Sequence, residues 1–256
     1  MDAHVLTFAT HNEGTFKDIV NNKYNIPIKV LGYGEKWTGF RMKFEYVYDY
    51  IQNLNDNEIV FFLDGFDSYI NGDLNVAIER FLNMNEKVVF SLQSIDSPTF
   101  PIKLNEILVK TSFGECYDNL IANSGLYVGY VKYLKILLKD AIVQKCNDDQ
   151  RNVNDLCKKY DFIKIDKKNK IFKNISNIKD LNKTNAIFVQ FPGAQSFNRT
   201  TRAIFEYTQF FFKYYVLLFL IILILIFVYI KKPFYYYLVT LLIYFLLLFN
   251  SDMSCL

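Results

Sequence analysis

From residue 210 to the C-terminus the chain is almost free of charge, and this limits how that part can fold. Residues 214–230 form an uncharged run of 17 residues, and residues 234–249 form a second run of 16, separated by Lys231-Lys232-Pro233. Such helices would be apolar around their whole circumference, so neither can lie on a protein surface. We predict a transmembrane hairpin of two helices in contact with membrane lipid. The second run spans roughly 24 Å as a helix, less than the ~30 Å hydrocarbon core, so a re-entrant wedge is the alternative.

The composition divides the chain into three parts. We predict a globular domain over residues 1–198, a juxtamembrane linker over 199–209, and the membrane hairpin with a short tail over 210–256. Residues 1–209 carry 26 basic and 25 acidic side chains. A nearly neutral domain argues against nucleic acid as a partner, because such proteins normally present a basic face. The chain has only two histidines, His4 and His11, which excludes His-rich zinc sites and argues against a two-His iron site.

Two features predict that the globular domain lies in the cytosol. The N-terminal segment lacks the basic and apolar regions of a secretory signal. The cysteines contain no C-x-x-C pair, which predicts free thiols in a reducing compartment rather than a disulfide framework. The four cysteines are Cys116, Cys146, Cys157 and Cys255.

Hydrophobic periodicity in residues 1–198 predicts alternating strands and helices. Several strand candidates are continuous apolar runs, which is typical of parallel strands covered on both faces. The predicted fold is therefore α/β, with a Rossmann-type, mostly parallel sheet and helices on both faces. The Lys- and Asn-rich stretch 166–183 is predicted to be a solvated surface excursion. The strand candidates are 5–10, 29–34, 58–64, 87–93, 126–130, 162–166 and 186–191, and the helix candidates are 13–21, 41–53, 74–83, 132–145 and 150–160.

The strongest chemical motif comes directly after the most apolar strand candidate. Asp64 and Asp67 succeed the run Ile59–Leu63, with Gly65 and Phe66 between them. Ligands of open α/β sheets bind beyond the carboxyl ends of the strands. Two carboxylates converging there suit a hard divalent cation that offsets diphosphate charge. Alternatively, Asp-Gly is a turn pair, and Asp67 or Ser68 caps the next segment of the chain.

Six segments, in order, resemble the glycosyltransferase domain of the procollagen lysyl hydroxylase family and its viral relatives. They extend over roughly residues 4–198, and the third-strand motif corresponds to the family's metal motif of two aspartates flanking an aromatic residue. The segments are VLTFAT at 5–10, GYGEKW at 32–37, Met42-Lys43, LDGFDSY at 63–69, NSGLYVGY at 123–130 and DDQ at 148–150.

The resemblance implies a GT-A-like fold, a UDP-sugar donor and Mn²⁺. Asp64 and Asp67 would bind the metal and diphosphate, and Trp37 and Phe66 would stack on the uridine end. Lys43 would neutralise phosphate charge. The remaining implied positions are Thr10, Ser124 and Gly125 in the donor site, and Asp148 and Asp149 facing the sugar or acceptor.

Several of the implied roles have a structural alternative. Trp37 can be a core residue and Lys43 an exposed helix lysine. Asp148 and Asp149 can be an acidic pair at a helix N-terminus, favourable with the helix dipole. Ser124-Gly125 can simply permit close backbone approach.

One departure from the family pattern concerns the metal. Gln190 stands where the family has a metal-binding histidine, and a Gln carbonyl ligates Mn²⁺ more weakly than imidazole does.

The expected function is a membrane-anchored, metal-dependent glycosyltransferase that acts on a protein or glycan acceptor, with retention of configuration implied by the resemblance. The alternative is a catalytically degenerate transferase fold that serves as a membrane-tethered binding or scaffold protein. A nucleotidyltransferase is a third reading, but Gly32-x-Gly34 is a poor phosphate loop.

Overall fold

The computed structural model describes residues 2–93, 110, 113–146, 148–175 and 178–191. All seven predicted strands and five predicted helices are present, with ends that shift by a few residues. The helices are α1 (Phe16–Val20), α2 (Arg41–Ile51), α3 (Leu74–Met84), α4 (Val131–Ile142) and α5 (Asp149–Cys157), and a 3₁₀ helix covers Ile178–Lys183. The strands are β1 (Ala3–Phe8), β2 (Ile28–Leu31), β3 (Ile59–Asp64), β4 (Ser68–Ile70), β5 (Val88–Leu92), β6 (Ala122–Tyr130), β7 (Ile163–Ile165), β8 (Phe172–Asn174) and β9 (Phe188–Gln190).

Six strands form the central sheet, in the order β2-β1-β3-β6-β5-β7. The pairs β1–β2, β1–β3 and β5–β7 are parallel, whereas β6 runs antiparallel to both of its neighbours, β3 and β5. The sheet is thus mostly parallel, as predicted, with one reversed strand near its middle. The reversal places the first residues of β6 at the edge where the parallel strands have their carboxyl ends.

Strand β3 is buried on both faces because its alternate residues enter two different apolar clusters. Val60 and Phe62 pack with residues of α2, α4 and α5 on one face. Phe61 and Leu63 pack on the other face with residues of α1 and α3. The continuous apolar run in the sequence therefore reflects a strand between two helical layers, and the prediction of helices on both faces is confirmed.

A second sheet of three short strands, in the order β4-β9-β8, was not fully foreseen from the sequence. Strands β4 and β9 are antiparallel, and β8 and β9 are parallel. Part of the stretch 166–183 belongs to this sheet, so its prediction as a solvated excursion is wrong. Asp166 is fully buried, and its carboxylate accepts hydrogen bonds from the backbone N–H groups of Lys170, Ile171 and Phe172. These bonds fold the lysine-rich turn back onto the core.

The prediction of free thiols is also wrong, because no cysteine in the described part of the chain is free. Cys116 and Cys157 form a disulfide, with a sequence separation of 41 residues. Both half-cystines are buried, and Cys157 is the last residue of α5. The spacing rule failed because the two cysteines meet through the packing of α5 on β6, which no local pattern encodes.

No helix in the described part of the chain is long and apolar enough to cross a membrane. The predicted linker at 199–209 and hairpin at 210–256 lie outside the described residues.

Candidate active site

The carboxyl edge of the central sheet holds a buried lysine between two carboxylates. Lys43 lies in the first turn of α2 and is only 4% exposed. Its Nζ is 3.0 Å from Asp64 Oδ2 and 2.7 Å from Asp149 Oδ2. The Ser124 hydroxyl donates to the same Asp149 oxygen at 2.7 Å. Lys43, Asp64, Asp149 and Ser124 come from four separate segments, and we call them the lysine network.

Charge attraction keeps the lysine of this network protonated. Burial by itself would lower the pKa of Lys43, but the carboxylates of Asp149 and Asp64 outweigh burial and hold that pKa above the usual lysine range. The alternative of an exposed helix lysine is therefore wrong. Tyr127 packs below the network between Phe62 and Phe90, and burial raises the pKa of its phenol.

A second group of predicted residues meets beside the network. Gln190, the last residue of β9, donates from Nε2 to Asp67 Oδ1 at 2.9 Å. The side chain of Gln190 lies against Gly125, where a Cβ atom would be 2.2 Å from Nε2. Any side chain at position 125 would displace Gln190, so the glycine makes the approach of Gln190 to Asp67 possible. The register of β4 and β9, in which Ser68 pairs with Gln190, provides this placement.

Asp148 serves a different purpose from Asp149. Its side chain caps α5 by accepting a hydrogen bond from the backbone N–H of Arg151 at 2.6 Å. The alternative reading as a helix-terminal acidic residue thus fits Asp148, whereas Asp149 enters the lysine network. A role for Asp148 toward the sugar or acceptor stays a prediction.

Aromatic side chains surround the site on its β1 and β2 side. Trp37 is 41% exposed and contacts Phe8 and Phe40, so it is not a core residue. Phe66 is half-buried and lies 5.1 Å from the ring of His11. Both rings remain available for stacking at this edge, and that role stays a prediction.

Thr10 comes after β1 and joins the rim of the same edge. Its hydroxyl is 2.9 Å from His11 Nδ1, and its carbonyl accepts a hydrogen bond from Gly34 N. His11 Nε2 is 3.0 Å from Glu13 Oε2, so this histidine points to Glu13. The predicted contact of Thr10 with a donor nucleotide is not tested by these bonds.

The site residues suit a cation in their chemistry. The described residues contain no cluster of three or more His, Cys, Asp or Glu side chains arranged to hold a metal. However, Gln190 Oε1 is buried without a hydrogen-bond partner, and Gln190 Nε2 fixes the neighbouring Asp67 carboxylate. The Asp64 and Asp67 carboxylates and the unpaired amide oxygen of Gln190 are all oxygen donors, which hard divalent cations prefer. The chemistry of these three residues therefore fits such an ion.

Sequence reasoning missed two residues of this region, Ser68 and Asn174. Both lie beside Gln190 in the small sheet and are buried. Asn174 falls in the lysine-rich stretch, where composition gave no signal of burial. Ser68 lies inside the segment LDGFDSY, where the sequence suggested no role in the site, and its alternation with Ile70 is the signal that could have indicated a short strand.

A mostly parallel α/β sheet with carboxylates and a lysine at its carboxyl edge is consistent with a glycosyltransferase-like domain of the GT-A type. Residues 1–198 match the family model described as PLOD GT domain, and the chain belongs to this family. The suspected resemblance to the glycosyltransferase domain of procollagen lysyl hydroxylases is thereby confirmed.

Two curated relatives align with about two thirds of this chain. A Caenorhabditis elegans protein named multifunctional procollagen lysine hydroxylase and glycosyltransferase is 25% identical in an alignment of 193 residues that covers 68% of this chain and 26% of that protein. Human procollagen-lysine,2-oxoglutarate 5-dioxygenase 2 is 28% identical in an alignment of 195 residues that covers 69% of this chain and 25% of that protein. This chain therefore spans about a quarter of the length of these relatives.

A solved structure of A197 from STIV aligns with 62% of this chain and 78% of its own, at 13% identity. Its TM-score of 0.39 is too low to support any argument.

Proposed function

We propose that this chain is a membrane-anchored glycosyltransferase that takes a sugar from a UDP-sugar, with Mn²⁺, and transfers it to a protein or glycan acceptor. The observation that carries the proposal is the lysine network at the carboxyl edge of the sheet. Lys43, Asp64, Ser124 and Asp149 are far apart in sequence, and all of them match segments of the family pattern. The family match supports the transferase class, while donor, metal and acceptor are parts of the proposal.

The charges of the site support a cation as part of it. Asp64, Asp67 and Asp149 contribute three carboxylates, against one ammonium group from Lys43. A diphosphate anion would meet a net negative site, so an additional positive charge is needed to bind it. Mn²⁺ held by Asp64, Asp67 and Gln190 would supply that charge and offset the charge of the leaving UDP.

The other residues of the site would bind and orient the donor and stabilise charge during transfer. Lys43 orients Asp64 and Asp149 and adds positive charge below the diphosphate. Asp149 is fixed by Lys43 and Ser124 at 2.7 Å each, so its carboxylate is pre-oriented. A fixed carboxylate stabilises positive charge that develops on the sugar ring, and such pre-organised electrostatics usually supply the largest catalytic contribution. Trp37 and Phe66 would stack on the uridine end.

The direct test measures UDP release from a panel of UDP-sugars with the full chain, with and without Mn²⁺. We expect release that requires Mn²⁺ and is lost in D67A. Release that is independent of metal would contradict the assignment of the carboxylates. If no UDP-sugar is cleaved and UDP does not bind with Mn²⁺, the chain is not a glycosyltransferase of this kind.

A binding or scaffold protein is the second candidate function, and two observations favour it. Gln190 replaces the expected histidine, and Lys43 already neutralises Asp64 at 3.0 Å. Such a protein would bind UDP–Mn²⁺ weakly or not at all and would release no UDP. The same assay therefore separates the two candidates.

Membrane attachment and its orientation are further parts of the proposal. The apolar runs at 214–230 and 234–249 support an anchor, while the Cys116–Cys157 disulfide favours an oxidising compartment over the cytosolic side that the sequence predicts. Protease protection of the globular domain in sealed vesicles decides the orientation.

A further inference from the structure

Three polar residues form one row across the small sheet. Ser68 of β4 pairs with Gln190 of β9, which in turn pairs with Asn174 of β8. Residues paired directly across strands project to the same face of a sheet. The neighbouring pair on that face, Ile70 and Phe188, belongs to the apolar core. We call Ser68, Gln190 and Asn174 the polar row. It lies on the core-facing side of the small sheet, at the end of that sheet next to Asp67.

Each residue of the polar row buries an oxygen without a hydrogen-bond partner. Ser68, Gln190 and Asn174 are 0%, 3% and 7% exposed. Ser68 Oγ, Gln190 Oε1 and Asn174 Oδ1 are three of only six buried side-chain atoms in the described part of the chain that lack a partner. Folded proteins pair most of their buried polar atoms, so half of the exceptions lie in a single row.

The orientation of both amides is determined by what their nitrogens contact. Gln190 Nε2 donates to the Asp67 carboxylate, and Asn174 Nδ2 donates to the Leu92 carbonyl at 2.7 Å. Turning either amide around would place an oxygen against an oxygen. The unpaired amide oxygens of Gln190 and Asn174 are therefore true acceptors that require a donor, whereas the Ser68 hydroxyl can donate or accept.

The chemistry of the row selects a ligand with hydroxyl groups. Neutral amide oxygens accept hydrogen bonds from O–H groups and cannot donate to an anion such as diphosphate, and the Ser68 hydroxyl can pair with a ligand hydroxyl in either direction. We propose that the polar row binds hydroxyl groups of the sugar that is transferred, which rests on the proposed function. The carbonyl oxygen of Gln190 has two lone pairs, so contact with a cation leaves one for a hydroxyl. The row adjoins Asp67, so the sugar would lie next to the carboxylates proposed for the diphosphate.

Binding at this row requires some rearrangement of its surroundings. The three oxygens are shielded from solvent, so a sugar can reach them only when neighbouring side chains shift. Forming hydrogen bonds to three unpaired polar groups at once favours that shift. The row would thus determine which sugar is accepted, because each hydroxyl must find an acceptor at a fixed place.

The test compares the affinity for UDP alone with that for intact UDP-sugars, in the full chain with Mn²⁺. Ser68→Ala removes only an unpaired hydroxyl, so we expect an unchanged or higher melting temperature and a UDP Kd within about twofold. We expect the Kd for the preferred UDP-sugar to rise about tenfold, because the variant loses about one buried hydrogen bond to the sugar. Asn174→Leu is the second variant. We expect it also to raise the ratio of the Kd for the UDP-sugar to the Kd for UDP about tenfold.

Ser91→Ala is the matched control. Ser91 is also fully buried on a strand, but its hydroxyl donates to the Asn123 carbonyl at 3.4 Å. We expect this variant to lose stability and to keep the Kd ratio.

The outcomes are distinguishable. If UDP and UDP-sugars bind but Ser68→Ala keeps the unaltered ratio, the inference about the row is wrong. If the affinity for UDP alone falls with that for UDP-sugars, the row acts on the nucleotide or metal and not on the sugar. If the unaltered chain binds neither UDP nor UDP-sugars, the proposed function fails and this inference fails with it.

Discussion

Replacing Lys43 by Met removes the cation that two carboxylates share. The ammonium lies 3.0 Å from Asp64 and 2.7 Å from Asp149, and the Lys43 and Asp149 side chains are only 6% and 5% exposed. Removing one partner of a buried ion pair typically costs about 3–5 kcal/mol. The Asp64 side chain is 22% exposed and retains contact with water, so we expect a loss near the lower end, about 3 kcal/mol.

The assay is thermal unfolding of the full chain at pH 7.5. In a domain of about 150–250 residues, 1 kcal/mol shifts the melting temperature by about 2–4 °C, so K43M should melt roughly 6–12 °C lower. Lys135→Met is the matched control, because Lys135 pairs with Asp56 at 3.1 Å but the Asp56 side chain is 58% exposed. We expect that control to lose at most about 1 kcal/mol. Equal melting temperatures for K43M and K135M would refute the reasoning.

The pH dependence of the two chains adds a second check. The pKa of Lys43 is raised on folding, so its contribution is fully present below the ordinary lysine value of 10.5 and is lost only as pH rises through the folded value. Between about pH 5 and 9 the contribution of Lys43 to the free energy of unfolding of the unaltered chain should therefore stay constant. A stability difference between the two chains that disappears within this pH range would count against a network held together by a protonated Lys43.

Three further outcomes are expected. D67A should abolish Mn²⁺-dependent UDP binding in a titration while the fold stays intact, although the melting temperature should fall by a few degrees because the buried Gln190 Nε2 loses its acceptor; normal nucleotide affinity would argue against the site. Gln190→His should tighten Mn²⁺ binding in the same titration, since imidazole is the stronger ligand, and an equal or weaker affinity would exclude position 190 from the metal. C116S should lower the free energy of unfolding by about 2–4 kcal/mol, measured in urea without reductant, because Cys116 closes a long loop with Cys157; a change below about 1 kcal/mol would show that the disulfide adds little.

The agreement between sequence and structure is best where local patterns determine the outcome. The apolar run Ile59–Leu63 required burial on both faces, and Val60 and Phe61 enter opposite clusters. The stripe of apolar residues in 41–53 predicted α2, which the structure confirms as Arg41–Ile51. The six motifs identified the family because each is a short stretch of residues, and their order along the chain can be compared without knowing which residues are in contact.

The roles of the site residues could not be predicted from local sequence patterns. Lys43 reads equally well as an exposed helix lysine or as a buried counter-ion, and only the packing of α2 beside β3 distinguishes these readings. Asp148 and Asp149 are adjacent and chemically identical, yet one caps α5 and the other enters the lysine network. Consecutive residues at a helix start point in different directions, so their roles depend on the orientation of the helix.

The amino-acid sequence was enough to predict the order and type of the main elements, the family, and the carboxylate pair at the end of β3, because period, turn residues and motif order are local properties. The reversal of β6, the approach of Gln190 to Asp67 and the pairing of Cys116 with Cys157 became known from the three-dimensional fold alone. The last two contacts join residues 123 and 41 positions apart, and their formation depends on how whole layers pack. The same packing created the polar row, since strands of three residues acquire their register from their neighbours.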